Sequence, residues 1–237
     1  MNPSARPSRR IDPNRPTLVF DLDGTLADTA SDLIRTLNIL LAREDVAPVP
    51  LEKARDVVGA GARAMLERGL ALGGRSVSSD RLGELFRDFL SHYADNIAVE
   101  TKLFTGVEDA LVHFSSRGHR LAVCTNKMEE HSLRLLAALG VADQFDAICG
   151  RDTFAWAKPD ARHLTLTVEK AGGDPRRAIM VGDSRTDIDT ARAAGLPVIA
   201  VDFGYTDVPV AQLGPDRIVS RYRDLAEAVD ALEATFA

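Results

Sequence analysis

The sequence is short of several things at once. It has two cysteines in 237 residues, too few for the disulfide framework with which small secreted folds make up for a thin core. Both, Cys124 and Cys149, sit in apolar runs, which predicts buried thiols in a reducing compartment. No stretch reaches the ~18 consecutive apolar residues of a membrane-crossing helix. The basic start MNPSARPSRRIDPNRP has no apolar segment behind it and does not read as a secretory signal. The expected location is the cytoplasm. Nor is there an excess of positive charge: 29 Lys and Arg stand against 35 Asp and Glu, a formal charge of −6. That balance argues against nucleic acid or an anionic membrane as a partner. Internal repeats, heptads and low-complexity segments are missing as well.

What is there is an ordinary globular composition, 45% hydrophobic and 27% charged. A chain of 237 residues, against a prior of about 150 per domain, predicts one large domain or a domain carrying an insertion. Residues 1–16 hold four Pro and four Arg and are expected to be an unstructured tail. The run Thr17 to Leu22 is apolar, rich in β formers and ends in the turn signal DGT. A helix should follow, capped by Thr29 or Ser31, with Leu33, Ile34, Leu37, Leu40 and Leu41 on one face. From Pro48 to Ile97 only helical periodicity appears, broken by Gly59, Gly61 and the Gly73-Gly74 pair.

After Gly106 helices alternate with the apolar strands RLAVCT, DAICG, RAIMVGD and PVIAVDFG, and RYRDLAEAVDALEATF closes as a helix. This alternation calls for an α/β fold, a Rossmann-like parallel sheet covered by helices on both faces. Thr17 to Leu22 is then its first strand. The expected division is a core of residues 17–30 and 98–237, with residues 31–97 inserted as a helical module.

Ligands of open parallel sheets bind outside the carboxyl ends of the strands. Four groups of polar residues fall there: Asp21 and Asp23 in DLDGT, Thr125 and Asn126 in VCTN, Lys158 in AKPD, and Asp183, Ser184 and Asp187 in GDSRTD. Clustered carboxylates repel one another unless a cation compensates. Oxygen ligands with open positions suit Mg²⁺. A carboxylate nucleophile beside a hard cation, a lysine and a hydroxyl can accept a phosphoryl group, and a neighbouring carboxyl can protonate the leaving group and then activate water. A single Asp after a strand is commonly only a turn former. The joint occurrence at successive strand ends is what argues for a site.

FDLDGTLADT, CTNK, KPD and GDSRTDI resemble the four ordered motifs of the haloacid dehalogenase superfamily of phosphohydrolases, over residue 17 to the end of the chain. An acid at Asp23, where the dehalogenases carry an aromatic residue, implies phosphoryl chemistry. The resemblance makes Asp21 the nucleophile and Asp23 the general acid and base. It places Thr125, with Asn126, on the phosphoryl oxygens and Lys158 as neutraliser of Asp21 and the phosphoryl group. Mg²⁺ would be held by Asp21, the backbone carbonyl of Asp23 and Asp183, with Asp187 orienting metal-bound water or Lys158. The helical module becomes a cap closing over the site.

Gly59-Ala60-Gly61 follows a helix-like stretch rather than a strand, so it is not a dinucleotide loop. It resembles the substrate-facing loop of phosphoglycolate phosphatase-like members. Gly59, Gly61 and Arg63 would then meet the substrate, the glycines by letting the backbone approach and Arg63 by gripping a carboxylate. Asp160 departs from the family pattern, which usually continues after Lys158-Pro159 with a small or apolar residue. The five histidines show no metal-binding spacing and read as surface or packing residues. The expected activity is hydrolysis of a small phosphomonoester, 2-phosphoglycolate first, by a monomer or homodimer. Phosphatases of sugar phosphates, nucleotides or pyrophosphate, a phosphomutase and a receiver-like signalling domain are the alternatives.

Overall fold

The computed structural model describes residues 10–58, 61–206 and 208–236. Its sheet is built from β1 (Thr17–Phe20), β4 (Leu121–Cys124), β5 (Ala147–Cys149), β6 (Ala178–Gly182), β7 (Val198–Val201) and β8 (Arg217–Val219), in the spatial order β5-β4-β1-β6-β7-β8. Every neighbouring pair is parallel. β1 lies inside the sheet although it comes first in the chain, which places its carboxyl end beside those of β4 and β6.

A strand buried on both faces needs apolar residues in succession rather than alternation. β1 does this: Leu18 and Phe20 enter one apolar cluster and Val19 the other, all three fully buried. Helices α5 (Val107–Ser116), α6 (Glu129–Ala138) and α9 (Leu225–Glu233) cover the first face with residues such as Phe114, Leu135 and Val229. Helices α7 (Ala161–Lys170) and α8 (Arg185–Ala193) cover the second with Leu164, Val168 and Ile188. Each such side chain contributes about 1.5–3 kcal/mol of burial. The α/β fold expected from the alternation is present.

Between β1 and α5 stands the helical module: α1 (Ala30–Ala42), α2 (Ala54–Val57), α3 (Ala62–Leu72) and α4 (Ser79–Asp95). Thr29 precedes α1 as its cap residue but makes no side-chain capping bond. Helices α1, α3 and α4 pack on one another. Met65, Leu66, Phe89 and Tyr93 from the module join the same apolar cluster as Phe20 and Phe114, so the module shares its core with one face of the sheet.

The neck between the two parts is stitched by contacts that sequence periodicity does not signal. The two-residue strands β2 (Ala27–Asp28) and β3 (Lys102–Leu103) pair antiparallel. Asp32, buried on α1, accepts the backbone N–H groups of Val99, Glu100 and Thr101 at 3.0–3.1 Å and the Thr101 hydroxyl at 2.8 Å. Burial alone would raise the pKa of Asp32. These hydrogen bonds, with Arg35, outweigh it and hold the carboxyl below its ordinary value.

Residues 10–16, expected as part of an unstructured tail, lie on the fold. Asp12 N–H donates to Gly118 O at 3.0 Å, Arg15 pairs with Glu233, and Arg177 donates to Asn14 O at 2.9 Å. Their partners come from the loops before β4 and β6 and from the end of α9, which composition alone does not reveal.

Candidate active site

The carboxyl ends of β1, β4 and β6 meet at the floor of a cleft of about 360 Å³ whose roof is the helical module. Asp21, the residue after β1, is 9% exposed. Its Oδ1 accepts Leu22 N–H at 2.7 Å and lies 3.0 Å from Lys158 Nζ, whereas no hydrogen bond is recorded at Oδ2 among the described residues. Burial raises the Asp21 pKa to about 6; Lys158 opposes the rise, and Asp187 and Asp23 add to it. A carboxylate with one anchored and one free oxygen has the form of an oriented nucleophile.

Asp183 follows β6 and is buried. Thr25 Oγ1 donates to its Oδ1 at 2.8 Å and Tyr205 N–H to its Oδ2 at 2.6 Å. Burial, then repulsion from Asp187 and Asp21, pushes its pKa well up. Glycines wall it in. A Cβ on Gly24, which has φ +82°, would come 2.5 Å from Asp183 Oδ2, and one on Gly204 would overlap the Asp183 side chain.

Asp187 works differently. Its Oδ2 accepts the N–H groups of Asp183 and Ser184 at 3.2 and 3.0 Å and the Ser184 hydroxyl at 2.7 Å, while its Oδ1 lies 2.6 Å from Lys158 Nζ. All this places it in the first turn of α8, where an acid complements the helix N-terminus. With both oxygens committed, Asp187 holds Lys158 rather than an incoming ion. Burial disfavours the Lys158 ammonium, but Asp187 and Asp21 outweigh that and keep its pKa above the usual lysine value.

Asp21, Asp183 and Asp187 bring a carboxylate oxygen each within 4.8 Å of one another. Lys158 is the ammonium directly among them. The deficit of positive charge, the raised pKa values and the oxygen-only donors all fit a hard divalent cation between Asp21 and Asp183.

Thr125 is 2% exposed and its Oγ1 accepts Lys127 N–H at 3.3 Å, which leaves the hydroxyl proton free to donate. Asn126 Nδ2 donates to the Lys158 carbonyl at 3.0 Å, so its side chain braces the Lys158 loop. Asp160, the departure from the family pattern, caps α7 by accepting Arg162 N–H at 2.9 Å.

On the roof, Gly61 and Arg63 line the cleft. Gly59 lies outside the described residues. Gly61 has φ +88°, and the nearest atom to an added Cβ is Asn126 O at 3.9 Å, so the left-handed backbone calls for glycine there and close packing does not. Arg63 is half exposed, with Glu67 at 3.5 Å.

Three further residues of the cleft carry no site signal in the sequence. Lys127 follows Asn126 and was legible only as the last letter of CTNK, yet its Nζ pairs with Asp23 at 2.8 Å. Tyr93 and His131 line the same cleft, their rings edge-on at 5.8 Å. His131 thus packs between helices, as expected of the histidines, but does so in the cleft wall.

Residues 18–201 match the family model described as haloacid dehalogenase-like hydrolase. The chain is 51% identical over 209 residues to a phosphoglycolate phosphatase of Mesorhizobium japonicum, covering 88% of this chain and 92% of that protein. It is 45% identical to one from Agrobacterium fabrum, covering 92% and 93%. A crystal structure described as a predicted phosphoglycolate phosphatase from Haemophilus somnus superposes with a TM-score of 0.84 at 27% identity, covering 91% of this chain and 98% of that one.

Proposed function

The chain belongs to the haloacid dehalogenase-like hydrolase family, and from that premise we propose that it hydrolyses 2-phosphoglycolate to glycolate and inorganic phosphate. The similarity to phosphoglycolate phosphatases along about nine-tenths of the chain carries the substrate assignment. The arrangement of the cleft supports the chemistry. Asp21 Oδ2 attacks phosphorus, the ester P–O bond breaks, and Asp23 delivers a proton to the departing glycolate oxygen. Asp23 then takes a proton from the water that attacks the aspartyl phosphate, the P–O bond to Asp21 breaks, and phosphate leaves.

Lys158, held by Asp187, opposes the charge gathered on Asp21 and the phosphoryl group. Thr125 donates its free hydroxyl proton to a phosphoryl oxygen, with Asn126 beside it. Mg²⁺, held by Asp21, Asp183 and the Asp23 carbonyl, would supply neutralisation of phosphoryl charge. Gly61 and Arg63 form the cap wall over the leaving group. Cys124 and Cys149 are both free and buried, in keeping with a cytoplasmic setting.

The test is phosphate release from 2-phosphoglycolate, sugar phosphates, nucleotides and pyrophosphate, each with Mg²⁺ and with excess chelator. Highest kcat/KM on 2-phosphoglycolate and none under chelation are expected. A higher kcat/KM on a sugar phosphate overturns the substrate; full activity in chelator overturns the metal.

A further inference from the structure

Lys127 carries a charge into the interior. Its side chain is 5% exposed. Nζ lies 2.8 and 3.0 Å from the two Asp23 oxygens and 4.5 Å from the centroid of the Tyr93 ring. Tyr93 comes from cap helix α4 and is 1% exposed; its hydroxyl interacts with the Lys127 ammonium but makes no hydrogen bond of good geometry among the described residues. Lys127, Tyr93, Asp23 and Asn126 all line the cleft. An apolar pair of the same shape is commonly as stable as a buried ion pair or more so, and a buried hydroxyl without a well-formed hydrogen bond is a cost to the fold. A lysine and a tyrosine retained here, both facing the cleft, therefore ask for a ligand.

We propose that Lys127, assisted by the Tyr93 hydroxyl, receives the anionic end of the leaving group and is the specificity-determining residue of this site. For 2-phosphoglycolate that end is the carboxylate, so the inference deepens the function proposed above and rests on it. The geometric reason is the contact with Asp23. In the function proposed above Asp23 protonates the ester oxygen. In a two-carbon acid the carboxylate carbon is two bonds from that oxygen, so a cation touching Asp23 reaches the carboxylate with no movement of the backbone. An ammonium has three donors, and Asp23 engages at most two.

Arg63 is the weaker candidate for the same task. It is half exposed, and an ion pair in water is largely screened, whereas one removed from water is stronger. An ester without an anionic leaving group offers Lys127 nothing, and a site with an unmatched buried polar group discriminates strongly.

The experiment compares kcat and KM for 2-phosphoglycolate and for ethyl phosphate, which lacks the carboxylate, in wild type, Lys127→Met, Lys127→Arg and Tyr93→Phe. Preference is read as the ratio of the two kcat/KM values. Lys127→Met should lower that ratio roughly tenfold to a hundredfold, with the loss on 2-phosphoglycolate appearing in KM. Lys127→Arg should recover part of it, and Tyr93→Phe should lower it about threefold. Equal losses on both substrates, with the ratio unchanged, overturn the inference and leave Lys127 as a support for Asp23.

If Lys127→Met does not fold by circular dichroism, Lys127→Gln takes its place. In an Asp21→Asn background, calorimetry with 2-phosphoglycolate and ethyl phosphate makes the same comparison without turnover. A wild type that prefers another anionic ester, such as 3-phosphoglycerate over glycerol 3-phosphate, fails the substrate reading only; Lys127 is then judged on that pair. A wild type with no preference for anionic leaving groups overturns the inference itself.

Discussion

The floor of the cleft and its roof are built to different tolerances. On the floor each charged group has several partners. Asp187 answers two backbone N–H groups, a hydroxyl and Lys158, and Asp183 is gripped by Thr25 and Tyr205 between two glycines. On the roof Arg63 is half exposed with one carboxylate at 3.5 Å, and a Cβ on Gly61 would meet nothing nearer than 3.9 Å. A phosphoryl group presents the same oxygens whatever ester it comes from, so the part that handles it gains from rigidity. The leaving group varies, and selection among leaving groups falls to the residues that meet it, Lys127 at the edge of the floor with Tyr93 of the cap beside it.

The largest expected contrast concerns the nucleophile. Asp21→Asn should reduce turnover by about 10⁴ or more, while the circular dichroism spectrum stays that of the wild type. Retention of a tenth of the activity would remove Asp21 from that role. No roof substitution should approach this effect.

A matched pair of glycines sharpens the comparison. Gly24 and Gly61 both have positive φ, but an added Cβ meets Asp183 at 2.5 Å in the first and nothing nearer than 3.9 Å in the second. Gly24→Ala should cost on the order of 100-fold in kcat/KM, as displacements of about 1 Å at a reacting centre do, and should raise the Mg²⁺ concentration needed for half-activity. Gly61→Ala should cost only about 1–3 kcal/mol of local backbone strain, read as lower thermal stability. Equal kinetic losses would break the distinction between floor and roof.

Acid should act through two histidines buried in the sheet layers. Burial holds His119 and His163 near pKa 4, against an ordinary value of 6.5. The folded chain keeps them neutral, so between pH 6.5 and 4 these two rings bind more protons in the unfolded chain and their share of the stability falls as pH falls, while the raised Asp21 and Asp183 carboxyls pull the opposite way. The stabilisation is complete above that window and lost through it, on the order of 3 kcal/mol for each ring. Urea midpoints from pH 7.5 to 4.5 should show a smaller loss toward acid in His163→Gln than in the wild type. A slope unchanged by that substitution would place the titration elsewhere.

The smallest effect is expected at Arg63. If Lys127 takes the carboxylate, Arg63→Ala should raise KM for 2-phosphoglycolate about threefold, the range of a solvent-exposed charge contact. A rise of 100-fold would make the roof the principal anchor after all.

Legibility followed the same division. Asp21, Asp183 and Lys158 could be placed from residue order because strand ends in apolar runs mark where a parallel sheet presents its ligands. Asp187 was visible too, although α8 begins at Arg185, because Asp187 turns back to bond the helix start. By contrast, Lys127 stood in plain view inside CTNK with no sign of its partners. Tyr93 lies in a stretch whose helical periodicity says nothing of a cleft, and β2 and β3 are too short to show a period.

Read alone, the sequence determined the class of chemistry and the scaffold that carries it. Apolar runs, helical periods and acids at strand ends are local patterns, and a parallel sheet converts them into positions by geometry common to every such sheet. Only the tertiary structure decided which charges neutralise which, how the neck is tied by Asp32, and that residues 10–16 lie along the fold. Those depend on distances between segments far apart in the chain. Electrostatic and hydrogen-bond energies fall off over a few ångströms, so nothing in residue order reports them until the chain has closed on itself.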